Sequence, residues 1–387
     1  MRNAHEHDRR KRMIPETSLQ SLHMTPHTIA VLRALQLGDL LCAVPAFRSL
    51  RIAFPRAHIA LIGLPWSQAF VNRFARYLDE FIEFPGYPGL PEQPVAIAAI
   101  PEFLTAMQRR RFDLALQMHG NGRYTNQLLP LLGANMTAGF VPPGSHGLDE
   151  RLFMSYPDHL PEADRHVALL QHLGIPTQDT RLEFPLNMHD VIAFRAIQAS
   201  HGLQPGSYVC LHPGGRGSLR RWAPHLFSLV ADRLVRAGYR IVITGTEEER
   251  PLAQAVMAHM REEATDLVGQ TDLGTLAVLL DRSAMLISND TGVSHVAAAL
   301  QVPSVIVCIG SDPVRWSPQD TRLHRVLIGQ GTTVDDVMEA VHTLARSRSR
   351  YHSKGLAAPY GEHAHPDLSR TPRQSTESRS SGAFRSL

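Results

Sequence analysis

Three cysteines in 387 residues, Cys42, Cys210 and Cys308, are too few and too far apart for a disulfide framework or a paired metal site. An odd number with no Cys-x-x-Cys reads as reduced, buried thiols of a cytosolic protein. A charge excess is missing as well: 39 Lys and Arg stand against 36 Asp and Glu, a net +3. That excludes the concentrated basic face of a nucleic-acid binder. No apolar run reaches the length of a membrane span, so any membrane contact is expected to be peripheral. The first residues are polar and rich in His and Arg, with no apolar stretch after them, and do not read as a secretory signal. There is no Gly-Lys-Ser/Thr of a P-loop. The glycine spacing and acidic partner of a dinucleotide fingerprint are missing too.

What is present is the composition of a globular protein, 43% hydrophobic and 19% charged, in a chain long enough for two domains. Residues 1–26 show no periodicity and read as a disordered arm. From about 347 to 387 Ser, Arg, Pro and His dominate, which predicts a disordered tail. Between them, short β-branched runs alternate with amphipathic helical patterns. Strands are expected at Thr28–Arg33, His58–Ile62, Glu80–Phe84 and Asp113–Met118, then at Tyr208–His212, Arg240–Thr244, Ala284–Ser288 and Ser304–Ile309. Helices are expected at Leu40–Ala53, Pro224–Ala237, Glu248–Arg261, Val293–Leu300 and Val334–Arg346, the last with Thr333 as its N-cap and Asp336 three residues on. This alternation predicts an α/β fold of two doubly wound parallel sheets. The expected domains are 27–185 and 186–346, linked by the segment from about Phe184 to Gly206. Ligands in such sheets bind beyond the carboxyl ends of the strands.

Three loops at such ends could carry chemistry. In Leu37-Gly38-Asp39-Leu40-Leu41, Gly38 would permit a tight turn. Asp39 there is either a helix cap or a cleft carboxylate able to take a proton from a hydroxyl. The second runs from His212 to Trp222. Gly214, Gly215 and Gly217 allow close backbone approach, Arg216, Arg220 and Arg221 supply guanidinium groups, and Pro224 suits a helix start. Such a loop suits phosphate, with a solvated Gly/Arg loop as the alternative. The other basic clusters, Arg9–Arg12 and Arg109–Arg111, read as solvated surface or as weak attraction to anionic lipid. The third loop is Ser288-Asn289-Asp290-Thr291-Gly292-Val293-Ser294-His295, whose following helix would aim its N–H groups at the cleft. A single Asp-Thr-Gly on an α/β pattern is not an aspartic protease. Ser294 and His295 are adjacent and form no nucleophile–base pair. His295 either reaches a ligand or is a buried structural histidine.

These three loops, in this order, resemble the family-nine glycosyltransferases, whose best-known members are ADP-heptose:lipopolysaccharide heptosyltransferases. The likeness spans roughly 28–345. It implies a GT-B fold: two Rossmann-like domains facing a central cleft, with the acceptor on the N-terminal one and the nucleotide sugar on the C-terminal one. It also implies inversion without a metal, and no cofactor. By resemblance, Asp39 falls on the catalytic base. Arg220 falls on a phosphate-binding basic position that is often Lys in the family, with Gly214, Gly215, Ser218 and Arg221 in the same loop. Asp290, Thr291, Gly292, Ser294 and His295 fall on the loop that holds the donor sugar and diphosphate. A ribose-holding Glu falls within Glu247–Glu249, with Glu249 preferred. On the acceptor side the likeness covers Gly38, Gln117, His119 and Arg123. Just before Gly38, the small hydroxyl residues of heptosyltransferases are replaced by Ala34, Leu35 and Gln36.

The expected activity is transfer of a sugar, heptose on an ADP-linked donor being the candidate, to a saccharide or lipopolysaccharide-core acceptor. The expected place is the cytoplasm, with peripheral contact at the inner face of the membrane. A nucleotide-sugar epimerase and a non-catalytic nucleotide- or sugar-binding protein are the rival readings, since fold alone does not separate them.

Overall fold

The structure, a computed structural model, describes residues 25–145 and 148–353. All but the last two residues of the expected disordered arm, and the greater part of the expected tail, lie outside the described residues. Twelve strands form two six-stranded sheets, every pair parallel. The first holds β1 (Thr28–Leu32), β2 (His58–Gly63), β3 (Glu80–Glu83), β4 (Leu114–Gln117), β5 (Met136–Val141) and β6 (Phe153–Ser155) in the order 3-2-1-4-5-6. The second holds β7 (Tyr208–His212), β8 (Arg240–Ile243), β9 (Ala264–Asp266), β10 (Met285–Asn289), β11 (Ser304–Cys308) and β12 (His324–Ile328) in the order 12-11-10-7-8-9. Renumbered from its own first strand, the second sheet has the order of the first. Each reverses strand order once, at β1/β4 and at β7/β10.

The helices are α1 (Leu37–Ala53), α2 (Ser67–Arg73), α3 (Ile100–Arg110), α4 (Glu162–His172), α5 (Met188–His201), α6 (Pro224–Arg236), α7 (Arg250–His259), α8 (Leu273–Asp281), α9 (Gly292–Ala299), α10 (Pro313–Trp316) and α11 (Val334–Ser353). All eight expected strands form, within a residue or so at their ends. The central ones, such as β7, β10 and β11, are buried along their whole length. A strand covered on both faces must be apolar throughout, which makes it easy to read. Four strands were not expected: β6 and β9 have only three residues each and β6, β9 and β12 lie at sheet edges, whereas β5 is six residues long and interior to its sheet. Two expectations are corrected. The segment 184–206 is not a plain link: it contains α5, where Asn187 and Asp190 exchange capping hydrogen bonds of 3.0 Å. Asp190 also pairs with Arg73 of α2. Helix α11 continues to Ser353, past the expected end at Arg346.

One continuous apolar cluster runs through both halves, with Leu41, Val44 and Phe47 of α1 joined to Val293, Val296 and Ala297 of α9. Gly38 makes that junction possible. It is a helical residue of α1, not the residue of a tight turn as expected from the sequence. A β-carbon on it would stand 2.7 Å from Cδ2 of His295, in α9. Across the contact, a β-carbon on Gly292 would lie 3.5 Å from Leu37 and 3.6 Å from the backbone of Gly38. Gly38→Ala should therefore force the helices apart at a cost of about 1–3 kcal/mol, as overpacking does. Its melting temperature should fall by a few degrees; an unchanged melt would show that the junction yields freely.

Candidate functional site

Loops leaving the strands at a reversal of strand order diverge and open a crevice. Here those strands are β1 and β4 in one sheet and β7 and β10 in the other. Their loops carry Asp39, Gln117–His119, Gly214–Gly215 and Asp290–Gly292.

Asp39 is the third residue of α1; the N-cap is Gln36. Its Oδ2 accepts from the Gln36 N–H at 3.3 Å, while the side chain keeps 20% exposure. The carboxylate thus braces the helix start and still meets solvent. Burial pushes its carboxyl above the ordinary carboxylate range; Arg33 pulls against that and the charge of Glu162 adds to it.

Arg33 and Glu162 are functional-site residues that sequence reasoning missed. Arg33 has no exposed surface. Its Nε and Nη2 donate to the backbone carbonyl of Asp39 at 2.9 and 2.7 Å, and Nη1 donates to the Met118 carbonyl. It therefore ties the Asp39 loop to the loop after β4. Nη2 also lies 3.0 Å from Oε1 of Glu162. Glu162, in the first turn of α4, is 1% exposed and is touched as well by Tyr156, Arg165 and His166. From the second half, Arg315 of α10 reaches its Oε2 at 2.7 Å. Burial alone would raise the Glu162 carboxyl, but the His166 hydrogen bond, Arg33 and Arg315 hold it well below the ordinary range. His166 itself is lowered to about 4, chiefly by burial. An arginine ending the apolar strand Ile29–Leu32 was a signal that could have been read. Glu162 and Arg315 had none, since a first-turn acid and an arginine in a short helix are ordinary.

His295 is buried, with Nδ1 3.7 Å from the Cys42 thiol and its ring edge-on to Trp316. Burial lowers its proton affinity, against the pull of Asp290 and Asp39. Thr291 is the N-cap of α9, and its side chain makes no capping hydrogen bond. In that first turn the Ser294 N–H is taken by the Thr291 carbonyl at 3.0 Å, so only the N–H groups of Gly292 and Val293 can face a ligand beside Asp39. Asp290 accepts from Ser311 at 2.5 Å. The buried Ser294 hydroxyl donates to the Thr291 carbonyl at 2.7 Å, within the helix start.

The glycine-rich loop is held by two side chains. Glu249 lies against Gly214, where any β-carbon would collide with its carboxylate. It accepts from the N–H groups of Gly215 and Thr246, both at 2.9 Å. Glu247 instead pairs with Arg250. Asn289, completely buried and missed from sequence, binds both ends of the loop. Its amide nitrogen donates to the carbonyls of Pro213 and Gly214 at 2.8 and 3.2 Å, and its oxygen accepts from the Trp222 N–H at 2.8 Å. Arg221 donates to the Gly215 carbonyl at 2.7 Å. Ser218 and Arg220 stand exposed at the loop tip, with the Arg220 stem over Gly310 at the end of β11.

On the first-half side the expectations separate. Gln117 is fully buried and its amide is used by the protein: it donates to the His119 carbonyl and Thr125 and accepts from the Phe140 N–H. His119 is nearly buried, accepting from the Ala34 N–H at 3.3 Å with Glu92 3.8 Å away. Arg123 is exposed and lines a cavity of about 480 Å³ with Asn121, Asn126, Ser145, Glu150 and Phe153. Among the described residues no cluster of three His, Cys, Asp or Glu side chains could hold a metal ion, and no helix is long and apolar enough to cross a membrane.

Comparison with known proteins agrees with this geometry. The model of Glycosyltransferase family 9 (heptosyltransferase) matches residues 101–341. Lipopolysaccharide heptosyltransferase 2 of Escherichia coli strain K12 is 23% identical over 314 residues, covering 76% of this chain and 86% of its own. A family 9 glycosyl transferase from Veillonella parvula superposes with a TM-score of 0.69 at 22% identity, over 82% of this chain and 97% of its own. The ADP-heptose lps heptosyltransferase II of E. coli gives 0.63 at 20% identity, over 83% and 99%. The likeness of structure establishes the fold, two Rossmann-like halves of GT-B type.

Replacing Asn289 by Ala should strand the Trp222 N–H and the two loop carbonyls, costing about 1–3 kcal/mol. Limited proteolysis should then cut the 213–221 loop faster than in the wild type. Equal cleavage rates would place the hold on the loop elsewhere.

Proposed function

The chain belongs to glycosyltransferase family 9, and from that premise we propose that it moves a heptose from ADP-heptose to a saccharide of the lipopolysaccharide core, with inversion and without a metal. The observation that supports this reading is the close approach of Gly38 to His295 and Gly292, which brings the Asp39 carboxylate near the first turn of α9, the pair that one displacement needs. In the mechanism, Asp39 accepts the proton of the acceptor hydroxyl while its oxygen attacks the anomeric carbon. Charge leaves with the diphosphate. The exposed guanidinium of Arg220, Thr291 with the first N–H groups of α9, and His295 receive it. Donors already held in place cost little reorganisation in the transition state. With guanidinium and helix end in that role, the reaction has no need of a divalent ion.

Arg221, Gly214 and Gly215 shape the loop around the diphosphate, and Ser218 adds a hydroxyl at its tip. Glu249 stands at the same loop, which supports a contact with the ribose. The cavity lined by Arg123 mixes polar groups (Asn121, Asn126, Ser145, Glu150) with apolar ones (Val141, Leu148, Phe153), a lining that suits the hydroxyls and the apolar ring faces of a saccharide acceptor. The donor name comes from the relatives, and the acceptor from theirs. Family membership sets aside the epimerase and non-catalytic readings. Peripheral contact with the inner face of the cytoplasmic membrane follows from a glycolipid acceptor and the basic residues Arg109–Arg111.

Three outcomes are expected. Asp39→Asn abolishes transfer yet keeps donor affinity, both measurable on one preparation by product assay and calorimetry; an active variant removes Asp39 from the base role. A base must be unprotonated, and burial raises Asp39, so transfer should rise with pH along a limb above the ordinary carboxylate value of 3.8. Among ADP, UDP, GDP and dTDP titrated in chelator, ADP should bind best, and Arg220→Ala should weaken it by about 1.5–3 kcal/mol. Preference for another nucleotide would retain the transferase and discard ADP-heptose.

A further inference from the structure

The carboxylates of Asp39 and Glu162 share one group of cations, and the cations are divided unequally between them. Arg33 grips Asp39 only through its backbone carbonyl, at 2.9 and 2.7 Å. Its nearest approach to the Asp39 carboxylate is 3.9 Å, against 3.0 Å to Glu162. Arg315 likewise donates to Glu162, and its guanidinium lies 4.4 Å from the centre of the Trp316 ring. Glu162 is almost without exposed surface and sits among Arg33, Arg165, His166, Tyr156 and Arg315. A base in a direct ion pair with a guanidinium is a poor base, because the paired cation stabilises its charged form. We propose that Glu162 is a positioning residue of the transfer reaction: it draws the guanidinium groups of Arg33 and Arg315 onto its own carboxylate and leaves the Asp39 carboxylate with no direct guanidinium hydrogen bond, only the looser 3.9 Å approach of Arg33, so that it can accept a proton.

This inference rests on the reading of Asp39 as the base. It also gives the second half of the molecule a part in setting that base, since Arg315 comes from α10 and Glu162 from α4. The charged and titratable groups facing Asp39 are Arg33 at the end of β1, Glu162 on α4, His295 on α9 and Arg315 on α10, with Cys42 on its own helix. Removing Glu162's charge takes a repelling neighbour from Asp39 and frees Arg33 to pair with it. Removing Arg315's charge takes away an attracting one. The two changes must therefore move Asp39 in opposite directions, which a loss of packing would not do.

The test follows the carboxyl carbon of Asp39 by nuclear magnetic resonance in protein carrying 13C-labelled aspartate, the signal being assigned by its loss in Asp39→Asn. This needs no substrate. In Glu162→Gln the Asp39 midpoint should fall by about one unit, and in Arg315→Gln it should rise. The acid limb of transfer should follow each shift, with kcat reduced more than the donor KM changes. If Glu162→Gln fails to fold, Arg315→Gln decides alone, because that side chain is 28% exposed. Midpoints that stay put, or that move the same way, overturn the proposal. Transfer surviving in Asp39→Asn would instead overturn the base reading itself, whatever the midpoints do.

Discussion

Helix α1 can lie against α9 only because Gly38 lacks a side chain. That close approach joins the apolar cores of the two sheets next to their loops, with the Arg73–Asp190 and Arg315–Glu162 pairs as further contacts between the halves. Each sheet makes its own crevice by reversing strand order, but two crevices become one site only if their mouths are held together. The ring of His295 occupies the space that a β-carbon on Gly38 would need. Asp39, one residue further along α1, is thereby placed beside the start of α9. The Gly-Asp pair is thus a packing contact first, and its chemistry follows from the packing.

The glycine-rich loop has a similar logic with a different agent. Its glycines do not leave it loose. Gly214 makes room for the Glu249 carboxylate, and Gly215 adopts a positive φ of 153° that few other residues tolerate. Asn289 then ties both ends of the loop to the strand whose next residue is Asp290. The two loops are consequently one hydrogen-bonded unit, with Arg220 exposed at the tip.

Buried ionic clusters are seldom retained for stability, because desolvation consumes most of what attraction returns. Around Glu162 the cluster is dense: a carboxylate with three arginines, a tyrosine and a histidine held neutral by burial. Its position between the halves, next to Asp39, gives a reason for such an arrangement that packing alone does not.

The fold was largely legible in the chain. Strands such as Tyr208–His212 and Ser304–Cys308 are apolar throughout because both their faces are covered, and the Gly-Asp, Gly-rich and Asp-Thr-Gly loops follow strands in the right order. Local chemistry writes such features within a dozen neighbouring residues. Where the sequence was silent, the deciding partner was distant. Arg33 and Glu162 are 129 positions apart, and Glu162 and Arg315 are 153 apart; neither side chain is unusual where it stands. The Gln117 amide likewise finds Phe140, 23 positions on, as a partner that its own stretch of sequence does not announce. By itself, then, the sequence determined two parallel sheets of alternating strand and helix and the loops at their carboxyl ends, because periodicity and turn chemistry are local. Only the tertiary structure decided which side chains those loops spend on one another and which they leave for a ligand, because that depends on what the distant chain brings within 3 Å.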